Sequence, residues 1–304
     1  MPFTRRSFLE AALATTAAAA VPGRARAADG VLERTIPSTG ETIAAVGLGT
    51  WITFNVGTDP VLRDECTAVM AAFFAGGGRM IDSSPMYGSS QAVVGHGLGK
   101  LGRPKSLFAA DKVWTGSGAG GPAQIEASRT AWGVPAFDLL QVHNLVAWQA
   151  HLDTLARLKA EQRLRYLGIT TSEGRRHDLF ERIMRERKLD FVQLTYNPVD
   201  IEAEARLLPL AQERGIAVIV NRPFRQGELT QRLAREPLPG WAAEIGATSW
   251  AQAILKFILA HPAITTVIPA TTRVDHVREN LSAMSGPLPD TALRRRISAH
   301  LRDL

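Results

Sequence analysis

The chain has 304 residues, 45% of them apolar and 21% charged, which suits one large globular domain or two small ones. No apolar run is long enough to cross a bilayer, and the formal charge of +6 is not gathered into the basic face that binding nucleic acid needs. The single cysteine, Cys66, excludes an intramolecular disulfide.

The first residues differ from the rest. Arg5 and Arg6 precede Phe8 and Leu9, an alanine-rich stretch runs from Ala11 to Val21, and Ala25-Arg26-Ala27 offers a small-residue cleavage site. This is the anatomy of a bacterial twin-arginine (Tat) export signal. The expectation is a signal over residues 1–27, cleaved after Ala27, and a mature domain over 28–304. The mature protein is then periplasmic, without a membrane segment, and the Tat export machinery is a partner. An uncleaved anchor and an alanine helix belonging to the fold are the alternatives. Setting residues 1–27 aside lowers the formal charge to +3. The lack of disulfides suits a route that carries folded proteins.

Next, two apolar runs flank Pro37-Ser38-Thr39-Gly40, which predicts a short β-hairpin over 31–45. A strand–helix alternation follows. Strand-like runs lie near 45–48, 80–82, 107–112, 139–143, 166–170, 191–196, 217–221 and 265–269. Helical spacing covers about 61–75, 90–101, 122–133, 147–162, 175–187, 203–214, 247–261 and 273–285. This α/β pattern predicts a (β/α)8 TIM barrel rather than a doubly wound sheet, because the polar candidates fall at C-terminal strand ends. The segment 222–246, with Gly227, Pro237, Pro239 and Gly240, reads as an insertion, and 114–122 reads as a Gly-rich loop.

Three successive apolar segments end in chemistry-bearing residues: Asp82, Lys112 and His143, with Tyr87 in a turn just past the first. An aspartate at a strand end needs a cation, and Lys112 is the candidate. A lysine beside a tyrosine lowers the phenol's pKa. A histidine nearby can orient a carbonyl oxygen. Together the four can protonate that oxygen as hydride reaches its carbon. The plain alternative is a buried ion pair with a tyrosine and a histidine at loop edges.

These residues resemble the catalytic tetrad of the aldo/keto reductases. Val46-Gly47-Leu48-Gly49-Thr50-Trp51, Ile81 to Gly88, Tyr166-Leu167-Gly168-Ile169-Thr170 and Ile268-Pro269 to Asn280-Leu281 resemble that family's signatures in the expected order. The resemblance covers the chain from about residue 31 to its end. It implies a hairpin closing the barrel bottom and reduction of a small-molecule carbonyl by NADP, with NAD as the alternative. It also implies that Tyr87 is the general acid, with Lys112, Asp82 and His143 beside it. The other function reading is a catalytically idle protein that binds a cofactor or a partner on the same barrel.

By the same resemblance, Thr50, Thr170, Thr171, Gln193, Asn221, Arg222, Pro269, Thr271, Arg273, Glu279 and Asn280 are expected to hold the cofactor. Trp51, Trp114 and Trp148 are expected to line the substrate pocket. The chain departs from the family at three places. A lysine and an arginine near the 2′-phosphate are replaced by Ala270 and His276, which leaves Arg273 for the phosphate. The usual Ser-Asn after the fifth strand is Thr170-Thr171. The aromatic that stacks on the nicotinamide is replaced by Asn221, with Phe224 as a possible substitute. Gly47 and Gly49 are too short a signal for a Rossmann turn. His151, His177 and His261 lack metal-site spacing, so no catalytic metal is expected.

Overall fold

The structure, a computed structural model, describes residues 31–304. The expected export signal lies outside the described residues. Strands β1 (Glu33–Thr35) and β2 (Thr42–Ala44) pair antiparallel, as the hairpin pattern predicts. Eight parallel strands follow: β3 (Leu48–Gly49), β4 (Met80–Asp82), β5 (Phe108–Val113), β6 (Leu139–Val142), β7 (Tyr166–Thr170), β8 (Phe191–Thr195), β9 (Ala217–Asn221) and β10 (Ile264–Val267). They hydrogen-bond in sequence order. Bridges from Val46 to Val267 and from Gly49 to Ala270 close β3 onto β10. The result is the expected (β/α)8 barrel.

Eleven helices lie among the described residues. Those between the strands are α1 (Pro60–Ala75), α2 (Ser90–Lys100), α3 (Gly121–Trp132), α4 (Trp148–Ala160), α5 (His177–Glu186) and α6 (Leu207–Arg214). They continue with α7 (Glu228–Arg232), α8 (Trp241–Glu244), α9 (Trp250–Leu259), α10 (Val274–Ser282) and α11 (Thr291–Asp303). Helix α1 starts where Asp59 Oδ1 accepts from the amides of Val61 (2.9 Å) and Leu62 (3.1 Å), with Pro60 in the first turn. Helices α3 and α6 stop at Gly133 and Gly215, with φ of 64° and 62°.

The hairpin fills the barrel bottom. Ile36 and Ile43 pack against Met80, Phe108, Leu139, Tyr166, Phe191 and Ala217, the first residues of β4 to β9. The Tyr166 hydroxyl donates to Glu41 Oε2 at 2.6 Å and fixes the hairpin turn under β7. Gly49 is needed at the closing seam. A Cβ there would lie 2.7 Å from the Ile268 carbonyl oxygen, where the Gly49 amide donates to Pro269 O at 3.0 Å.

The sequence reading stops at eight helices. It treats 222–246 as an insertion, which the structure resolves into α7 and α8, and it omits α11. Yet α11 has a cap, Asp290 Oδ1 accepting from Leu293 N at 2.8 Å, and an apolar stripe of Leu293, Ile297 and Leu301. Ile297 is fully buried. Ile297→Ala should therefore lower unfolding free energy by about 3 kcal/mol in a urea titration. A change below about 0.5 kcal/mol would show that α11 is not part of the cooperative core.

Candidate active site

The C-terminal strand ends converge on a cavity of about 810 Å³, within the ~300–1,000 Å³ range of ligand pockets. Period-2 alternation decides which side chains reach the barrel axis. On β5, Lys112 points inward and Asp111 points outward to the helices, where it accepts from Gln91 Nε2 at 2.8 Å. Lys112 Nζ donates to Asp82 Oδ1 at the end of β4, and to the Ser83 carbonyl at 2.8 Å. The pair is sealed, with side-chain exposures of 0% and 2%.

Asp82 is held by more than lysine. Its Oδ2 accepts from Gln193 Nε2 of β8 at 2.9 Å and from Gln141 Nε2 of β6 at 3.3 Å. Asn221 Nδ2, at the end of β9, reaches Gln193 Oε1 at 3.4 Å and donates to Thr171 O at 2.9 Å. Thr195 Oγ1 donates to Asn221 Oδ1 at 2.7 Å. This buried polar network ties together β4 to β9.

Tyr87 sits above the pair, with Lys112 Nζ 5.0 Å from its ring centroid. His143 packs edge-on against Tyr87 at 5.6 Å between centroids, and Trp51 lies 6.3 Å away on another side. The four tetrad candidates are thus brought together. Burial works against the charge of Lys112, but the Asp82 carboxylate and the other acidic groups around it together outweigh burial, so the lysine lies above its ordinary value. Burial pushes the His143 imidazole down to about 2, with the Lys112 charge adding to the effect. For Tyr87 the sequence expectation is corrected. Lys112 does pull the phenol down, but burial pushes it up by more, so Tyr87 lies above its ordinary value.

Among the expected cofactor residues, Thr50, Thr170, Gln193, Asn221, Arg222, Thr271, Glu279 and Asn280 line the cavity, as does Trp51. Thr171 and Pro269 do not. The Thr171 hydroxyl donates to Arg175 O at 2.5 Å, and the Pro269 carbonyl serves the closing seam. Arg273 is also absent from the lining. Its side chain is 63% exposed and grips Asp275, with Nε to Oδ1 at 3.0 Å. Trp114 and Trp148 are displaced from the expected pocket too. Gln124 clamps the Trp114 backbone at 2.6 and 2.8 Å, and the residue is exposed. Trp148 opens α4 and packs near Arg187, 5.9 Å from its ring.

The sequence reading also misses residues of the lining. Glu173 and Arg175 follow β7, and Thr248, Ser249 and Trp250 begin α9. Phe224, named from the sequence as the substitute for the stacking aromatic, is in the lining. Glu173 Oε1 pairs with Arg222 at 2.7 Å and Oε2 with Arg175 at 3.0 Å. Ser249 was legible as a helix cap, since its side chain accepts from Gln252 N at 3.2 Å. Glu173 carries no local signal. Among the described residues, no group of three or more His, Cys, Asp or Glu side chains is placed to hold a metal ion.

The sequence signature of the Aldo/keto reductase family matches residues 45–299. The chain is 25% identical over 314 residues to the NADH-specific methylglyoxal reductase of Escherichia coli, covering 83% of this chain and 93% of that one. It is 25% identical over 326 residues to the pyridoxal 4-dehydrogenase of Microbacterium luteolum, covering 85% and 94%. Among solved structures, an aldo-keto reductase from Bacillus halodurans in its holo form superposes with a TM-score of 0.73 at 22% identity, covering 90% and 96%. One from Klebsiella pneumoniae in complex with NADPH gives 0.74 at 20% identity, also covering 90% and 96%.

Asp111 generates a pH prediction. Burial pushes its carboxyl up to about 7 from an ordinary 3.8, against the pull of the Lys112 amide and ammonium. The folded state therefore holds a proton that the unfolded state releases. Its contribution to stability is full below about 3.8 and is lost as pH rises toward 7. Asp111→Asn cannot ionise, so relative to wild type it should gain on the order of a few kcal/mol between pH 5 and pH 8. Urea unfolding at both pH values measures this, and parallel pH dependence in the two proteins excludes it.

Proposed function

The chain belongs to the aldo/keto reductase family, and on that premise we propose that it reduces an aldehyde or ketone to an alcohol with NAD(P)H, Tyr87 giving the proton. The observation that carries this reading is the sealed Lys112–Asp82 pair beneath Tyr87, with His143 against the same ring. The relatives named above for methylglyoxal and pyridoxal point to small aldehydes as the substrate class. Both nicotinamide dinucleotides are represented among them, one relative being named NADH-specific and one neighbour holding NADPH.

The lining suits such a cofactor. Thr50, Thr170, Gln193 and Asn221 supply hydroxyls and carboxamides near Tyr87, fit for a nicotinamide amide. Arg222 and Arg175 supply cations fit for a diphosphate, and Thr271, Glu279 and Asn280 supply further polar groups in the lining. When bound, the cofactor supplies hydride to the carbonyl carbon. Tyr87, kept protonated by burial, gives its phenolic proton to the carbonyl oxygen. Lys112 stabilises the phenolate that remains, and Asp82 keeps Lys112 charged and in place. Ser84 Oγ accepts from Met86 N at 3.2 Å and is free to donate to His143 Nδ1 at 2.7 Å. The neutral imidazole then carries its proton on Nε2, as a donor to orient the carbonyl oxygen.

Tyr87→Phe removes the proton while keeping the ring. It should lower kcat at least ~100-fold for any aldehyde the wild type reduces, with cofactor affinity within about twofold. Wild-type turnover by the folded variant would falsify the assignment.

We further propose, from the sequence of residues 1–27, that the protein is exported by the Tat route and acts in the periplasm. No helix among the described residues is long and apolar enough to cross a membrane. In a bacterium with an intact Tat pathway, the full chain should reach the periplasmic fraction with Ala28 as its first residue. Replacing Arg5 and Arg6 together by lysine should hold it in the cytoplasm. Equal distribution of the two proteins sinks the export reading.

A further inference from the structure

A dinucleotide whose nicotinamide meets Tyr87 must lay its adenosine half against another wall of the cavity. The wall built by the start of α9 and by α10 is suited to it. There Glu279 and the buried Asn280 line the cavity, and neither side chain has a hydrogen-bond partner among the described residues. A carboxylate accepts from amino and hydroxyl groups, and a carboxamide does both. These are the groups an adenosine presents.

The same wall is poor in positive charge. Among the described residues, its lining includes Ala270, Thr271 and His276, but no lysine or arginine. The two lining arginines, Arg175 and Arg222, follow β7 and β9 and already share the Glu173 carboxylate. The nearby cations, Arg273 and Arg278, are outside the lining, and Arg273 grips Asp275 through two nitrogens. A dianionic phosphate on the adenosine ribose would sit there beside the Glu279 carboxylate, with no lining cation to pair with it.

We propose that the cavity is built for the unphosphorylated dinucleotide, NADH, and that Arg273 is idle toward the cofactor. This rests on reading the chain as a nicotinamide-dependent reductase. Two effects contribute and differ in size. The missing lining cation is the larger, because a phosphate normally takes charge-assisted hydrogen bonds. The Asp275 pair is the smaller, because an exposed ion pair is held weakly. Asp275 is thus a brake on Arg273 and not a lock.

Fluorescence titration of the full chain with NADH and with NADPH tests this, on wild type, Arg273→Ala, Asp275→Ala and Ala270→Lys. Wild type should bind NADH at least about tenfold more tightly than NADPH. Arg273→Ala should leave both affinities within about twofold, because the side chain it removes touches neither ligand. Asp275→Ala should tighten NADPH by roughly threefold through the freed arginine. Ala270→Lys should tighten NADPH at least about tenfold without helping NADH. Tighter binding of NADPH by wild type, or its loss in Arg273→Ala, overturns the inference and leaves the reductase reading standing. Binding of neither dinucleotide by folded wild type overturns both.

Discussion

Two opposite charges sealed inside a barrel are the constraint on which this protein turns. Lys112 and Asp82 are almost fully withdrawn from water. Burying two ions is unfavourable unless their remaining hydrogen-bonding capacity is met. Here it is met by backbone and carboxamides from several strands: Ser83 O on the lysine, and Gln193 and Gln141 on the aspartate. Removing either partner would leave the other charge stranded. The groups proposed to do the chemistry and the groups that fix strand register are therefore largely the same. The barrel positions the site, and the site in turn holds the barrel top together.

That coupling explains what could be read from the sequence. Strands β4, β7 and β9 have the bounds expected from their apolar runs, because a fully buried parallel strand leaves an uninterrupted apolar word. Asp82, Lys112 and His143 were visible because each breaks such a word at its C-terminal end. Other features depend on contacts between distant segments. Glu173 means nothing until Arg175 and Arg222 are placed around it. Trp114 and Trp148 follow strands β5 and β6, as pocket residues do, but the loop after β5 leaves Trp114 exposed and the start of α4 packs Trp148 against the core outside the cavity. Arg273 looked like a phosphate ligand by position, and Asp275, two residues on, turns it away. Helix α11 was legible in its cap and stripe, yet a strand–helix count of eight gave no reason to look for it.

The departures from family pattern also acquire physical roles. Asn221 stands where an aromatic was expected, and it closes a polar relay from Thr195 through to Thr171. Just beyond it, Arg222, Arg225 and Gln226 all adopt positive φ, of 51°, 48° and 62°. Strain at three non-glycine positions is unfavourable and is held by ion pairs, Arg222 to Glu173 and Arg225 to Asp200. Part of the cavity rim is thus kept in shape by charge rather than by packing.

The seam between β3 and β10 bears on how the chain folds. It is made by isolated bridges rather than a full ladder, and beside it the Thr266 hydroxyl of β10 reaches the Ala44 carbonyl at the end of β2 across 222 positions of sequence. Loop closure over such a span is entropically unfavourable, so this contact belongs late in assembly. On a ribosome, β3 must wait with one edge unpaired until nearly the whole chain has emerged. A truncated product therefore presents a raw sheet edge and a cavity open along one side. Integrity of the whole chain, and not of any segment, decides whether the barrel closes.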